Sequence, residues 1–189
     1  MRLFVMIDVP DAWRSAARAA QRALIERVPP ETLRPVARAQ LHLTLRFLGE
    51  VDEGSVPALR HHLSSVAPVD LTLELGRAGS FGGPRRTRVA WLAVESANGG
   101  LDALAERIEG AVVSAGAPPR RERFHAHLTL ARVARRVQGP ASRAVGEAVA
   151  ALPRAEAPPF RAREFALVRS HLGSAGGHGP RYETIAPFR

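Results

Sequence analysis

The sequence contains no cysteine and no lysine. The first absence excludes a disulfide framework, thiolate metal sites and a cysteine nucleophile. The second leaves all 27 basic residues as arginine, against 18 acidic ones, for a formal net charge of +9. Aromatic residues are only 5% of the chain, too few for an extended base-stacking platform. No apolar run approaches the ~20 residues that span a bilayer. The opening MRLFVMIDVPD turns acidic at Asp8 after five apolar residues, too short for a signal-peptide core. What remains is a chain of 189 residues, 46% apolar, long enough for one domain (1–189) and able to bury a core. A cytoplasmic monomer with a basic surface is expected. The positive charge favours polyanionic partners such as RNA or phosphorylated ligands.

An internal repeat organises the rest. LHLTL at Leu41–Leu45 returns as AHLTL at Ala126–Leu130, 85 positions later from His42 to His127. The same offset carries the apolar run Phe4–Val9 onto Val89–Val94. A duplication explains both coincidences. Each half reads strand, helix, strand, helix, strand. The first has Leu3–Val9, a helix over Asp11–Val28, the motif strand Leu41–Leu48, a turn at Gly49, a helix near Val56–Val66, and strand Leu71–Leu75. In the first helix Trp13, Ala17, Ala20, Leu24 and Val28 recur at helical spacing, and Arg14, Arg18 and Arg22 form a solvated face. The second half has Val89–Val94, a helix carrying Leu101, Leu104, Ile108 and Val112, the motif strand Phe124–Ala131, a helix near Ala141–Leu152, and strands Glu164–Arg169 and Tyr182–Phe188. The segment Gly76–Arg88 is the expected join, and the pseudo-repeat lobes cover approximately 1–80 and 86–189. This is an α+β pattern: two mainly antiparallel sheets with outer helices around a central cleft.

The motif strands carry the chemistry. Side chains alternate faces along a strand. Leu41, Leu43, Leu45 and Phe47 therefore point to the core, and His42, Thr44 and Arg46 point away from it. In the second copy His125, His127 and Thr129 share the face opposite Leu128 and Leu130. If the halves pack about a pseudo-two-fold axis, two His–Thr pairs meet across a cleft. Such a set suits metal-free phosphodiester chemistry. One neutral imidazole takes a proton, one protonated imidazole gives one, and a reference pKa near ~6.5 allows both near neutral pH. Threonine hydroxyls and the nearby Arg46 and Arg132 can hold the phosphate oxygens.

The paired HLTL motifs within a duplicated α+β chain resemble the two-histidine (2H) phosphoesterases with their H-x-T-x motifs. The sequence is most similar to the RNA 2′,3′-cyclic phosphodiesterases, also called 2′-5′ RNA ligases. RLFVMIDVP, RPVARAQLHLTLRFLGEV, FGGPRRTRVAWLAV, FHAHLTLAR and REFALVRSHLGSAGGHGPRYETIAPF carry the likeness almost end to end. The resemblance implies hydrolysis of a terminal RNA 2′,3′-cyclic phosphate to a 2′-phosphate, with weak reverse joining through a 2′-5′ bond. No metal and no cofactor are expected. By the family motif His42 and His127 are the acid–base pair, Thr44 and Thr129 contact phosphate, and Arg132 matches a phosphate-contacting arginine. The family usually has proline before the second histidine. Here Ala126 stands there, which makes His125 an additional site residue. Phe47 is a candidate contact for the terminal base.

Other readings stand beside these. Taken singly, His42 and His127 would be ordinary strand histidines, and Thr44 and Thr129 ordinary strand threonines. His125 and His127 could bind a metal with a third ligand. His61 and His62 read as solvated helix surface, and His171 and His178 as flanks of a glycine-rich surface loop, Gly173–Gly179, or of a lid. The clusters Arg85-Arg86-Arg88, Arg120-Arg121-Arg123 and Arg135-Arg136 either track an RNA backbone or are plain surface charge. The alternative functions are a phosphodiesterase for another cyclic phosphate or a 2′-5′ oligonucleotide, and a non-catalytic RNA-binding module.

Overall fold

The computed structural model describes residues 1–66, 68–83, 86–96, 99–171 and 179–189. Its elements in order are β1 (Arg2–Asp8), α1 (Asp11–Ile25), β2 (Leu33–Pro35), β3 (His42–Glu50), α2 (Val56–Ser64), β4 (Leu71–Phe81), β5 (Val89–Ser96), α3 (Gly100–Ser114), β6 (His127–Val133), α4 (Gly139–Ala150), β7 (Phe160–Ala162), β8 (Phe165–His171) and β9 (Arg181–Phe188). The α+β architecture with helices outside the sheet is as expected. Every strand pair is antiparallel. No helix among the described residues is long and apolar enough to cross a membrane.

The strand order is β7-β4-β5-β6-β3-β1-β8-β9, with β2 laid on β6. This path is two four-stranded halves that touch at a single rung, Leu43 opposite Leu128. The halves of the sheet are not the expected sequence lobes 1–80 and 86–189. β4 of the first lobe pairs with β5 of the second, and β8 of the second pairs with β1 of the first. The helices cross as well: α1 packs on β6, and α3 packs on β3. Each lobe therefore supplies a neighbouring strand and a covering helix to the other.

The core lies between the sheet and these helices. Leu43, Leu128, Leu130, Leu92 and Val5 from the strands, with Trp13, Leu24, Leu104 and Ile108 from the helices, are fully or almost fully buried. Truncating any of the leucines to alanine would cost about 2–5 kcal/mol. Trp13 can be buried because its indole N–H donates to the Pro158 carbonyl at 2.9 Å. The spacing of Trp13, Ala17 and Leu24 places the inner face of α1 correctly, but the fourth inner residue is Gln21, 1% exposed. Its amide donates to the carbonyls of Val36 (2.8 Å) and Leu130 (2.7 Å), so the buried polar group is satisfied.

Several boundaries differ from the sequence reading. α1 ends at Ile25, short of Val28, in a turn leading to Pro29 and Pro30. β4 continues to Phe81, so the first part of the expected join is strand. β6 begins at His127 rather than Phe124, leaving His125 just outside the ladder. The short strands β2 and β7 carry no alternation long enough to announce them. Gly49 is not a turn; with φ 77° it sits inside β3 at an irregularity opposite Leu3, a conformation glycine adopts freely. Arg14 is not solvated: its side chain is 14% exposed, paired with Asp8 at 2.5 Å, and donates to the Leu41 carbonyl at 2.7 Å.

Candidate active site

Two β-bulges decide which side chains reach the cleft. On β3, Val5 faces Arg46 and Met6 faces Thr44, so Leu45 is an extra residue. On β6, Ala90 faces Ala131 and Trp91 faces Thr129, so Leu130 is an extra residue. A bulge of one residue reverses the faces beyond it. His42 and Thr44 stay on the cleft face as expected, but Arg46 and Phe47 exchange sides. Phe47 is 47% exposed and borders the cleft, not the core. Arg46 turns away, where Nε donates to Glu109 Oε2 at 2.5 Å and the other guanidinium nitrogens donate to the carbonyls of Phe47 and Pro118. All three nitrogens are occupied, so Arg46 is a structural clamp. On β6 the same reversal turns Ala131 inward, 1% exposed, and brings Arg132 to the cleft.

The rung Leu43–Leu128 fixes the four motif residues. In an antiparallel ladder its neighbours place His42 near Thr129 and Thr44 near His127. The two histidines then occupy diagonal corners, with Cα atoms roughly 7–8 Å apart. Both rings are anchored alike. His42 Nδ1–H donates to the Gln40 carbonyl at 2.7 Å, and His127 Nδ1–H donates to the His125 carbonyl at 2.7 Å. That bond fixes the neutral tautomer and leaves each Nε2 as the acceptor nitrogen. The Thr44 hydroxyl lies 3.0 Å from His42 Nε2 and donates to it.

Aromatic walls hold each ring. Phe4 and Tyr182 stand 5.0 and 5.2 Å from the His42 ring centre. Phe81 stands 4.9 Å from His127, and Trp91 stands 4.6 Å from His125. Gly79 lets Trp91 lie there, since a Cβ at that position would strike the indole ring. Burial is the main cause that pulls the pKa of His42 below its usual value, and the charge of His127 adds to it. Burial likewise lowers His127, helped by His125 and Arg132. Both imidazoles are therefore shifted toward the neutral form. Burial raises Tyr182.

The cleft has two adjoining hollows that share Thr44 and Phe47 as lining residues. One, about 450 Å³, is bordered by His42, Thr129 and Arg132 together with Arg2, Arg34 and Tyr182. The other, about 780 Å³, is bordered by His127, His125, Phe81, Phe124 and the arginines 120, 121 and 123. The sequence-predicted His42, Thr44, Phe47, His125, His127, Thr129 and Arg132 border these hollows, and Arg46 borders the second with its guanidinium nitrogens tied to Glu109, Phe47 and Pro118. Among the described residues His125 and His127 gain no third metal ligand. Arg136 pairs with Glu31 and His171 with Glu183. Arg85, His178 and residues 173–178 of the glycine-rich segment lie outside the described residues. Sequence reasoning missed Arg2, Phe4, Arg34, Gln40, Phe81, Trp91 and Tyr182, which come from distant strands. A larger hollow of about 860 Å³, near Asp8, Asp70 and Arg161, lies elsewhere. Four of its charged residues pair with one another, Arg161 with Asp70 and Arg189 with Glu164.

Residues 9–174 match the sequence pattern of the 2′-5′ RNA ligase superfamily. An RNA 2′,3′-cyclic phosphodiesterase of Methanothermobacter thermautotrophicus is 30% identical over 194 residues, covering 100% of this chain and 98% of that protein. One of Aeropyrum pernix is 35% identical over 101 residues, 53% of this chain and 57% of that one. The crystal structure of E. coli LigT complexed with 3′-AMP superposes with a TM-score of 0.74 at 30% identity, covering 99% of this chain and 96% of that one.

Proposed function

The chain belongs to the 2′-5′ RNA ligase superfamily of two-histidine phosphoesterases, and we propose that it is a working hydrolase that opens the terminal 2′,3′-cyclic phosphate of RNA to a 2′-phosphate. The observation that carries this reading is the matched anchoring of two imidazoles. Each is fixed through Nδ1 to its own strand, and the two Nε2 atoms belong to diagonal corners of one cleft. An in-line displacement needs its proton acceptor and its proton donor on opposite sides of phosphorus.

The phosphate sits between the rings, its oxygens held by Thr44, Thr129 and Arg132. One neutral histidine takes a proton from water as the water oxygen bonds to phosphorus. The P–O3′ bond breaks, and the other histidine, protonated, gives its proton to the departing 3′ oxygen. The 2′ oxygen keeps the phosphate. The negative phosphate raises both imidazole pKa values when it binds, so one ring takes from solvent the proton it later donates. A 5′-hydroxyl in place of water gives 2′-5′ joining by the same steps. No metal enters this scheme, the cleft is completed within one chain, and we place the activity in the cytoplasm.

The test is turnover of an oligonucleotide ending in a 2′,3′-cyclic phosphate, with chelator present throughout. His42→Asn and His127→Asn are each expected to lose about 10²–10⁴-fold in kcat while thermal unfolding stays cooperative. Near-normal turnover in either variant, or salt-sensitive binding without turnover in the parent protein, removes the proposal. Loss of activity in chelator with rescue by a divalent ion would favour a metal on His125 and His127.

A further inference from the structure

The hollow beside His42 carries more positive charge than its reaction uses. Arg2, Arg34 and Arg132 all border it. Arg34 stands directly opposite Arg132 in the β2–β6 ladder, so both side chains leave the sheet on the same face. Arg2 lies across Phe47, its guanidinium carbon 4.9 Å from the ring centre. None of the three is in an ion pair among the described residues. Glu50, the cross-strand neighbour of Arg2, lies instead 3.7 Å from the terminal amine. Like charges directly opposite in a ladder repel, and anions bound on this face relieve that repulsion.

A cyclic phosphodiester carries one negative charge, which Arg132 alone matches. Two arginines are then surplus to the reacting group. The next anion along an RNA end is the phosphodiester one ribose upstream. We infer that Arg2 and Arg34 form a second anion subsite that receives the phosphate on the 5′ side of the terminal nucleotide. This rests on the function proposed above and narrows its substrate. The enzyme selects nucleotides embedded in a chain, or bearing a 5′-phosphate, over free nucleoside 2′,3′-cyclic phosphates. Guanidinium forks suit such recognition because they hold phosphate oxygens in pairs.

Two probes that share a reacting end isolate the subsite: cytidine 2′,3′-cyclic phosphate with and without a 5′-phosphate. The full chain is expected to favour the 5′-phosphorylated probe by about tenfold or more in kcat/KM, chiefly through KM. In Arg2→Gln/Arg34→Gln that preference falls to within about twofold. Calorimetric titration with cytidine 2′-phosphate and cytidine 2′,5′-bisphosphate reads the same preference without turnover. Turnover with no preference in the parent protein overturns the subsite and leaves the phosphodiesterase intact. A preference in binding without any turnover supports the subsite and sinks the enzyme. Equal loss on both probes in the double variant would mean that these arginines hold the reacting phosphate, and it would overturn the inference, as would a preference that survives the double substitution.

Discussion

The bulge in β3 leads to a sharp expectation for Arg46, whose position in the motif suggests a phosphate ligand. Its side chain is only 12% exposed and Glu109 only 13%, and the two are joined at 2.5 Å. Glu109 also accepts from the backbone N–H of Arg120 at 2.6 Å. Arg46→Leu therefore strands a half-paired carboxylate in a mostly dry place, for a cost of about 3 kcal/mol. For a chain of this size that lowers Tm by roughly 6–12 °C. Arg46→Leu/Glu109→Leu removes both charges, and most of the loss should return, since apolar replacements of buried pairs are often neutral. Calorimetric unfolding gives the stability, and kcat/KM well below Tm gives the function. The expected result is a large fall in Tm for the single variant, recovery in the double, and kcat/KM within about tenfold of the parent in both. A loss near 10²-fold with Tm unchanged would refute the clamp and return Arg46 to the phosphate.

The pH dependence follows from the two lowered histidines. Free-enzyme groups govern kcat/KM, so its optimum should lie below the ordinary imidazole value of about 6.5, whereas the optimum of kcat lies higher, because bound phosphate raises both. A profile of kcat/KM that is flat from about pH 5 to 8 would contradict a histidine pair. Stability has a matching sign. Below about pH 6.5 the unfolded imidazoles take up protons that the buried ones refuse, so stability falls with pH down to the folded pKa values. Denaturant midpoints measured across this window should show a weaker acid slope in His42→Asn. Gln21→Leu leaves the part-buried Val36 carbonyl without the amide donor and the buried Leu130 carbonyl with only the Val36 N–H. It should cost about 1–3 kcal/mol in urea unfolding, and an unchanged midpoint would mean that water replaces the amide at no cost.

The sequence makes the motif strands legible because their repeat is exact in letters and because leucines alternate with His and Thr. His42, Thr44, His127 and Thr129 follow from that alternation alone. It fails two residues later. An added residue at Leu45 or Leu130 leaves no mark in composition, yet it reverses Arg46, Phe47, Ala131 and Arg132. Arg132 is an odd number of residues from His127 and reaches the same cleft only through such a reversal. The crossing of β4 and β8 was equally hidden. Both are apolar strands that would pair plausibly within their own lobe, and the sequence holds no term that favours the neighbour. Tyr182, Arg2 and Arg34 escaped notice for a related reason: pairing across the sheet brings them beside His42, and each lies in a segment without a motif.

The crossed topology also explains how one rung can support a catalytic cleft. A lone antiparallel pair at Leu43–Leu128 is too little to hold two imidazoles to the fraction of an ångström that acid–base catalysis demands. The fold secures the motif strands from behind, and each time from the other lobe. Gln21 on α1, from the first lobe, holds the carbonyl of Leu130 on β6 at 2.7 Å. Glu109 on α3, from the second lobe, holds Arg46 on β3 at 2.5 Å. Both grips fall at or beside the bulges that aim the cleft side chains. One of the two polar residues is neutral and the other charged, and each also binds the loop entering a motif strand, at Val36 and at Arg120. Because each lobe's helix braces the other lobe's histidine strand, a shift of either half carries its partner's strand with it. The spacing between the two rings is preserved by packing in the core, while the cleft in front stays open to an RNA end.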